Sequence, residues 1–199
     1  INTLNRTFFG TFNTNADPRP DTFTVRYSQP NALFEIESSF RLTGGSLGSG
    51  TSDVLETIRI TNTGTFPLDF HFFQYCDLDL NNDIVDESVA ITGPPGFFNT
   101  ATQTDGSFVV TETSALPYPD HHEANIYPAT ITRLDNAIPD ALNDNPGPLA
   151  GIPRRDYTWA FQWDVVINPG GSFLISKDKL LTPAPGTFGL LGLAGVVVA

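Results

Sequence analysis

The sequence contains no methionine, a single cysteine, and little of the Ala, Glu and Lys that helices favour. One cysteine, Cys76, excludes an intrachain disulfide, so the fold must stand on its hydrophobic core. No basic residue or base lies beside Cys76 in sequence to lower its pKa, and a buried, inert thiol is expected. Without Met at position 1, the chain is expected to be processed or part of a longer one, as removal of an export signal produces. Positive charge is scarce: 10 Lys and Arg face 22 Asp and Glu, for a formal net charge of −12. Such a surface repels nucleic acid and anionic lipid head groups, so neither is expected as a partner. Divalent cations and basic partners are compatible with it, and so is plain solubility. Nucleophile elbow, P-loop, HExxH and dinucleotide fingerprints are all missing. Carboxylates are numerous, but a glycosidase pair is defined by separation in space, and abundance is no argument for one. The chain is not expected to be an enzyme.

What is present is the chemistry of short strands. The 199 residues include 16 Phe, 5 Tyr, 16 Pro and 17 Gly, a composition of aromatic strands and turns. This length suits one generous β-sandwich. Extended segments are predicted over 7–13, 22–27 and 32–42, then a Gly/Ser loop from Thr43 to Gly50. Val54, Glu56, Ile58 and Ile60 occupy every second position of a strand over 52–62. The turn Asn62-Thr63-Gly64-Thr65 and a strand over 66–75 then predict two neighbouring strands of a meander. Phe70-His71-Phe72-Phe73-Gln74-Tyr75 is aromatic on both faces, which places it mid-sheet with its second face covered. Further strands are expected over 88–92 and 107–112. From Leu116 to Pro153 the text reads as a long loop with a helical turn over 131–137. Tyr157 to Ile167, the turn Asn168-Pro169-Gly170-Gly171, and Ser172 to Leu180 read as a closing hairpin. In it Trp159, Phe161 and Trp163 form a core stripe.

Two constellations could carry chemistry. The run Asp77-Leu78-Asp79-Leu80-Asn81-Asn82-Asp83 sets oxygen ligands at alternate positions, as calcium requires. It opens like an EF-hand loop. Asn82 stands where the glycine of the sharp turn belongs, and Ser88 where the bidentate Glu belongs, so an EF-hand is excluded. Two readings stay open for Asp77, Asp79, Asn81 and Asp83: a looser calcium site on a β-loop, or a solvated acidic turn. The second constellation is His121-His122 beside Asp120 and Glu123, with His71 elsewhere. Adjacent residues on an extended chain point to opposite sides, so the pair is a poor chelate and neither zinc binding nor catalysis is expected.

The C-terminus carries the most specific text. Pro183-Ala184-Pro185 precedes the apolar stretch 188–199 with its Leu190-Leu191-Gly192-Leu193 core. This resembles the PEP-CTERM sorting signal of exported bacterial proteins: a Pro-x-Pro motif, then a short apolar segment, then a basic cluster. Phe70 to Tyr75 with Asp77-Leu78-Asp79-Leu80, and Trp159 to Lys179, look like blocks of proteins bearing this signal. Ala184 replaces the glutamate of the motif, and no Arg cluster follows Ala199. The resemblance implies export, recognition by an exosortase (a membrane transpeptidase-like enzyme), and delivery to the cell envelope or extracellular matrix. Residues 188–199 are too few for a helix that spans a bilayer, which needs about 20. An apolar terminus of this kind is expected to be buried by a partner, a second copy or a membrane, through Phe188, Leu190, Leu191, Leu193, Val196, Val197 and Val198.

Together these features predict an all-β protein. The expectation is an antiparallel sandwich of jelly-roll or immunoglobulin-like type over 1–182, followed by an apolar tail over 183–199. The function expected is structural, as a homo-oligomeric subunit of a surface or matrix assembly. The alternatives are a glycan- or calcium-binding module and an accessory subunit of a membrane complex. No cofactor beyond calcium is implied.

Overall fold

A computed structural model describes residues 4–31, 33–80, 87–106, 108–136, 140–151 and 155–183. Among these residues eleven strands form two antiparallel sheets, and one short helix accompanies them. The strands are β1 (Asn5–Phe12), β2 (Thr22–Ser28), β3 (Phe34–Gly44), β4 (Ser52–Asn62), β5 (Leu68–Asp77), β6 (Glu87–Thr92), β7 (Thr100–Asp105), β8 (Phe108–Leu116), β9 (His121–Ile126), β10 (Tyr157–Ile167) and β11 (Ser172–Pro183); the helix α1 is Ala129–Leu134. The larger sheet runs β1-β2-β3-β4-β11-β8-β7-β6 and the smaller β5-β10-β9.

The expected all-β sandwich is present, and its core is the expected stripe. Trp159, Phe161 and Trp163 are buried with Phe72 and Cys76 of the neighbouring β5 and with Ile58, Ile60 and Ile175 of the facing sheet. Pleating sends alternate residues of each strand to one face, so these residues are the inner rows of the two sheets.

The strand pairings differ from the sequence reading. β4 and β5 are not neighbours in a meander: β4 belongs to the large sheet and β5 to the small one. Nor do β10 and β11 form a hairpin, since β10 pairs with β5 and β9 while β11 pairs with β4 and β8. Both turns are arches that carry the chain from one sheet to the other. The chain crosses between the sheets from β5 to β6 and from β8 to β9 as well.

Asn62 explains why arches form. It is almost fully buried, and its Nδ2 donates to the carbonyls of Phe66 (2.8 Å) and Ile167 (2.7 Å), one in each arch. Its Oδ1 accepts the Gly64 N–H at 2.9 Å. Its backbone exchanges hydrogen bonds with Gly170 and Gly171. Gly170 has φ +71°, a left-handed conformation that the second arch requires and glycine adopts freely.

Three further differences concern the aromatic strand and the long loop. β5 is an edge strand of the small sheet, not a central one. Its second face is covered as expected, because Tyr75 and Phe73 pack with Ala160, Leu142, Ile131 and Leu134. The stretch 116–153 holds β9 and α1, and the helix starts two residues before the expected turn. β7, Thr-Ala-Thr-Gln-Thr-Asp, escaped notice because Ala101 is its one apolar residue.

Candidate functional site

The calcium candidates fall at one corner of the sandwich. Asp77 ends β5, and Asp79 follows in the loop that β5 leads into. The antiparallel register that sets Thr158 opposite Asp77 brings Asp156, just ahead of β10, to the same place. One carboxylate oxygen from each of Asp77, Asp79 and Asp156 lies within 4.8 Å of the other two. Asn81 and Asp83, the other predicted ligands, lie outside the described residues. Asp156 is the member that sequence reasoning missed. It stands 77 residues from Asp79, and only the strand pairing joins them.

Glu87, the first residue of β6, backs this corner and is 3% exposed. Its Oε2 accepts the N–H of Tyr157, the residue after Asp156, at 3.1 Å, while its Oε1 has no hydrogen-bond partner. Burial, then the charges of Asp156, Asp79 and Asp105, push its carboxyl up to about 7 against the pull of that N–H. Burial, then Asp77 and Asp79, push Asp156 up to about 6. Asp77 is raised by burial and by Asp79. Uncompensated like charge is the common cause alongside burial.

A second cluster lies on the outer face of the small sheet, around His71, His121, Asp144 and Asp164. His71 Nδ1 is 2.7 Å from Asp164 Oδ1, and His121 Nε2 is 3.7 Å from Asp164 Oδ2. Asp144, at φ +59°, lies 3.0 Å from His121 Nδ1 and 3.5 Å from His122 Nδ1. His122 itself turns inward and stacks on Phe98 at 4.3 Å, so the two adjacent histidines point apart as expected. Burial raises the Asp164 carboxyl, but hydrogen bonds from Gln162 and His71 and the charges of both histidines hold it below the ordinary range. Among the described residues no serine or cysteine is hydrogen-bonded to any of these imidazoles, so no nucleophile-base pair is formed.

Next to this cluster, Glu123 is wholly buried on β9. It accepts hydrogen bonds from Thr130 Oγ1 (2.6 Å), Asn125 Nδ2 (2.8 Å), the Asn143 N–H (3.0 Å) and Arg133. Burial raises its carboxyl, and these four donors outweigh burial and hold it below its ordinary 4.5. A carboxylate with a depressed folded pKa contributes stability that is complete above the ordinary value and lost as pH falls through the folded one. Glu123→Gln is therefore expected to cost about 2 kcal/mol at pH 7, with the gap to wild type narrowing toward pH 3. Urea unfolding across that range checks this, and a constant gap contradicts it.

Between the sheets lies a charged set from strands whose alternation alone gives no sign of its pairing. Lys177 Nζ is 2.7 Å from Glu56 Oε2 and 3.2 Å from Glu112 Oε1, and Lys179 Nζ is 2.7 Å from Glu112 Oε2. Gln74 donates to Glu112 at 2.5 Å. Lys179 approaches the Cys76 sulfur at 3.7 Å and lies over the Trp159 ring. Cys76 is buried as expected, and burial pushes its thiol up to about 12 despite that lysine. The set is a neutral, internally paired network, closed to substrate by burial.

The last feature is a wing. Phe23, Phe40 and Phe9 share the face that carries Ile58 and Ile60 farther along the large sheet. Their rings form a row, with Phe23 stacked on Phe40 at 4.3 Å and Phe9 6.4 Å from Phe23. Phe70 of β5 meets Phe34 of β3 at 4.9 Å, and there the small sheet ends. Past that line the inner face of the large sheet stays bare among the described residues: Phe9 is 59%, Leu42 42% and Phe23 38% exposed. β1, the edge strand, is exposed at nearly every position. The wing is also electrically distinct. Arg6, Arg19, Arg26 and Arg41 balance Asp17, Asp21, Glu35 and Glu37, so the whole net charge of −12 lies beyond residue 42.

Pro183, assigned to the tail, is the last residue of β11 and pairs with Phe108. The remaining tail candidates, Pro185, Phe188, Leu190, Leu191, Gly192, Leu193, Val196, Val197 and Val198, lie outside the described residues. No helix among the described residues is long and apolar enough to cross a membrane. Compared with known proteins, the sequence matches no family model and no curated protein.

Proposed function

We propose that this chain is an exported structural protein of the bacterial envelope or extracellular matrix, without catalytic activity, that assembles with further copies of itself. The observation that carries this reading is the bare aromatic wing. A contiguous apolar sheet face in water favours association, and the absence of net charge over the wing lets a second copy of this acidic chain approach it. Export and delivery to the surface follow from the likeness of the C-terminal text to a PEP-CTERM signal handled by an exosortase. In this reading the segment 188–198 adds a second contact, with a neighbouring subunit or a membrane complex.

Sedimentation velocity of the full chain at micromolar to millimolar concentration tests the proposal. Wild type should associate, and Phe9→Ser with Phe23→Thr should shift the population to monomer, because each exposed Phe loses most of its burial energy, about 1.5–3 kcal/mol. A monomeric wild type at every concentration contradicts it. Truncation after Pro183 separates the two contacts: association that survives is carried by the wing, and association that vanishes is carried by the tail.

A further inference from the structure

We infer that the corner formed by Asp77, Asp79 and Asp156, with Glu87 behind it, is a calcium-binding site that clasps the ends of β5, β10 and β6 together.

The donor set names the class of ion. Three carboxylates offer oxygen atoms within 4.8 Å of one another, with no imidazole or thiolate among them. All-oxygen ligation suits a hard cation, and softer transition metals gain nothing from it. Magnesium demands a near-ideal octahedron and gives up its waters reluctantly. Calcium accepts six to eight oxygens in irregular arrangements, as ligands from two separate loops require.

An acidic cluster alone is ordinary surface, and Glu87 is the independent observation. A carboxylate 3% exposed, with Oε1 unpartnered, leaves a buried lone pair that no donor satisfies. Such an atom costs stability unless something meets it. Its other oxygen accepts the N–H of Tyr157, the residue after Asp156, and the charges of Asp156 and Asp79 act on the group. Oδ1 of Asp156 likewise has no hydrogen-bond partner. Two buried, unpartnered carboxylate oxygens beside two further carboxylates form a negative recess that a divalent cation neutralises.

The ligands meet only when the β5-β10 ladder has formed, so the ion binds the folded state and stabilises it. Thermal unfolding of the full chain, first stripped with EDTA, tests this with calcium chloride and magnesium chloride alone as probes. Calcium at millimolar concentration should raise Tm by about 5 °C or more, and magnesium by much less. Asp156→Asn gives a sharper criterion, because it removes both repulsion and a ligand. In EDTA the variant should melt above wild type, and in calcium below it. Asp79→Asn, at an exposed position, should show the same reversal and serves if the first variant folds poorly. A Tm indifferent to calcium overturns the site, and so does a calcium effect of equal size in both variants and wild type. Dilute protein keeps this readout independent of self-assembly.

Discussion

Replacing Lys177 by alanine is expected to cost about 3–5 kcal/mol of folding stability. Lys177 is 1% exposed and lies between Glu56 and Glu112 on the strands to either side, so its removal leaves two carboxylates in the core with one lysine between them. Burial raises the Glu112 carboxyl, and Lys177 and Lys179 together more than offset this and keep it ionised. With one lysine gone, the carboxylates either take up protons or draw water into a packed interior. Each route weakens the sandwich at the β4-β11-β8 seam, where these residues are cross-strand neighbours.

The matching control removes charge in balance. Glu56→Leu with Lys177→Met leaves Glu112 paired with Lys179, so the double variant should regain most of the stability that Lys177→Ala loses. Replacement of a buried ion pair by apolar groups of similar volume is often neutral or better. Urea unfolding of the single and double variants closes the cycle. A loss under about 1 kcal/mol for Lys177→Ala shows that water already reaches the pair.

The second large effect is at Asn62. Asn62→Ala removes donors to the Phe66 and Ile167 carbonyls and the acceptor for Gly64, and should cost about 2–4 kcal/mol, since each orphaned group carries a penalty of about 1–3 kcal/mol. Asn62→Asp should be at least as damaging: it keeps the acceptor for Gly64 but turns a charged oxygen toward two carbonyls. Amide exchange at Gly64 and Gly170 is the local readout. Faster exchange at both glycines in Asn62→Ala shows that one side chain holds the two arches. Acceleration at Gly64 alone shows that the second arch stands without it.

What could be read from the sequence was local. Alternation in 52–62 and 157–167 placed β4 and β10 to the residue, and the Trp159-Phe161-Trp163 stripe identified the core. Pairing was not legible, because a four-residue turn with Asn and Gly suits a hairpin and an arch alike. The distinguishing sign was present in β10, where Thr158, Ala160 and Gln162 are as buried as the aromatic row. Both faces of that strand are covered, and its central place comes from pairing with β5 on one side and β9 on the other. The inner-face charges were visible too: Glu56 shares a row with Ile58 and Ile60, and Lys177 shares one with Phe173 and Ile175. Charge at a core position was the clue, and its partners became identifiable only once β11 was placed between β4 and β8. For the acidic corner, Asp77 and Asp79 could be found by spacing, while Asp156 and Glu87 arrive through strand pairing and carry no local signature.

The order of the strands also governs when this chain can fold. β10 is the middle strand of the small sheet and β11 divides the large one, and both lie at the end of the described chain. A chain that lacks residues 157–183 has β1 to β4 and β6 to β8 as separate ribbons, with β5 and β9 left without their shared neighbour. In the folded chain the β4–β11 ladder, like the hydrogen bond from Asn62 to Ile167, links segments more than a hundred residues apart, so folding is slow and waits for β10 and β11. A polypeptide that crosses a membrane N-terminus first would thus stay threadable until residues 157–183 had passed, and close only then.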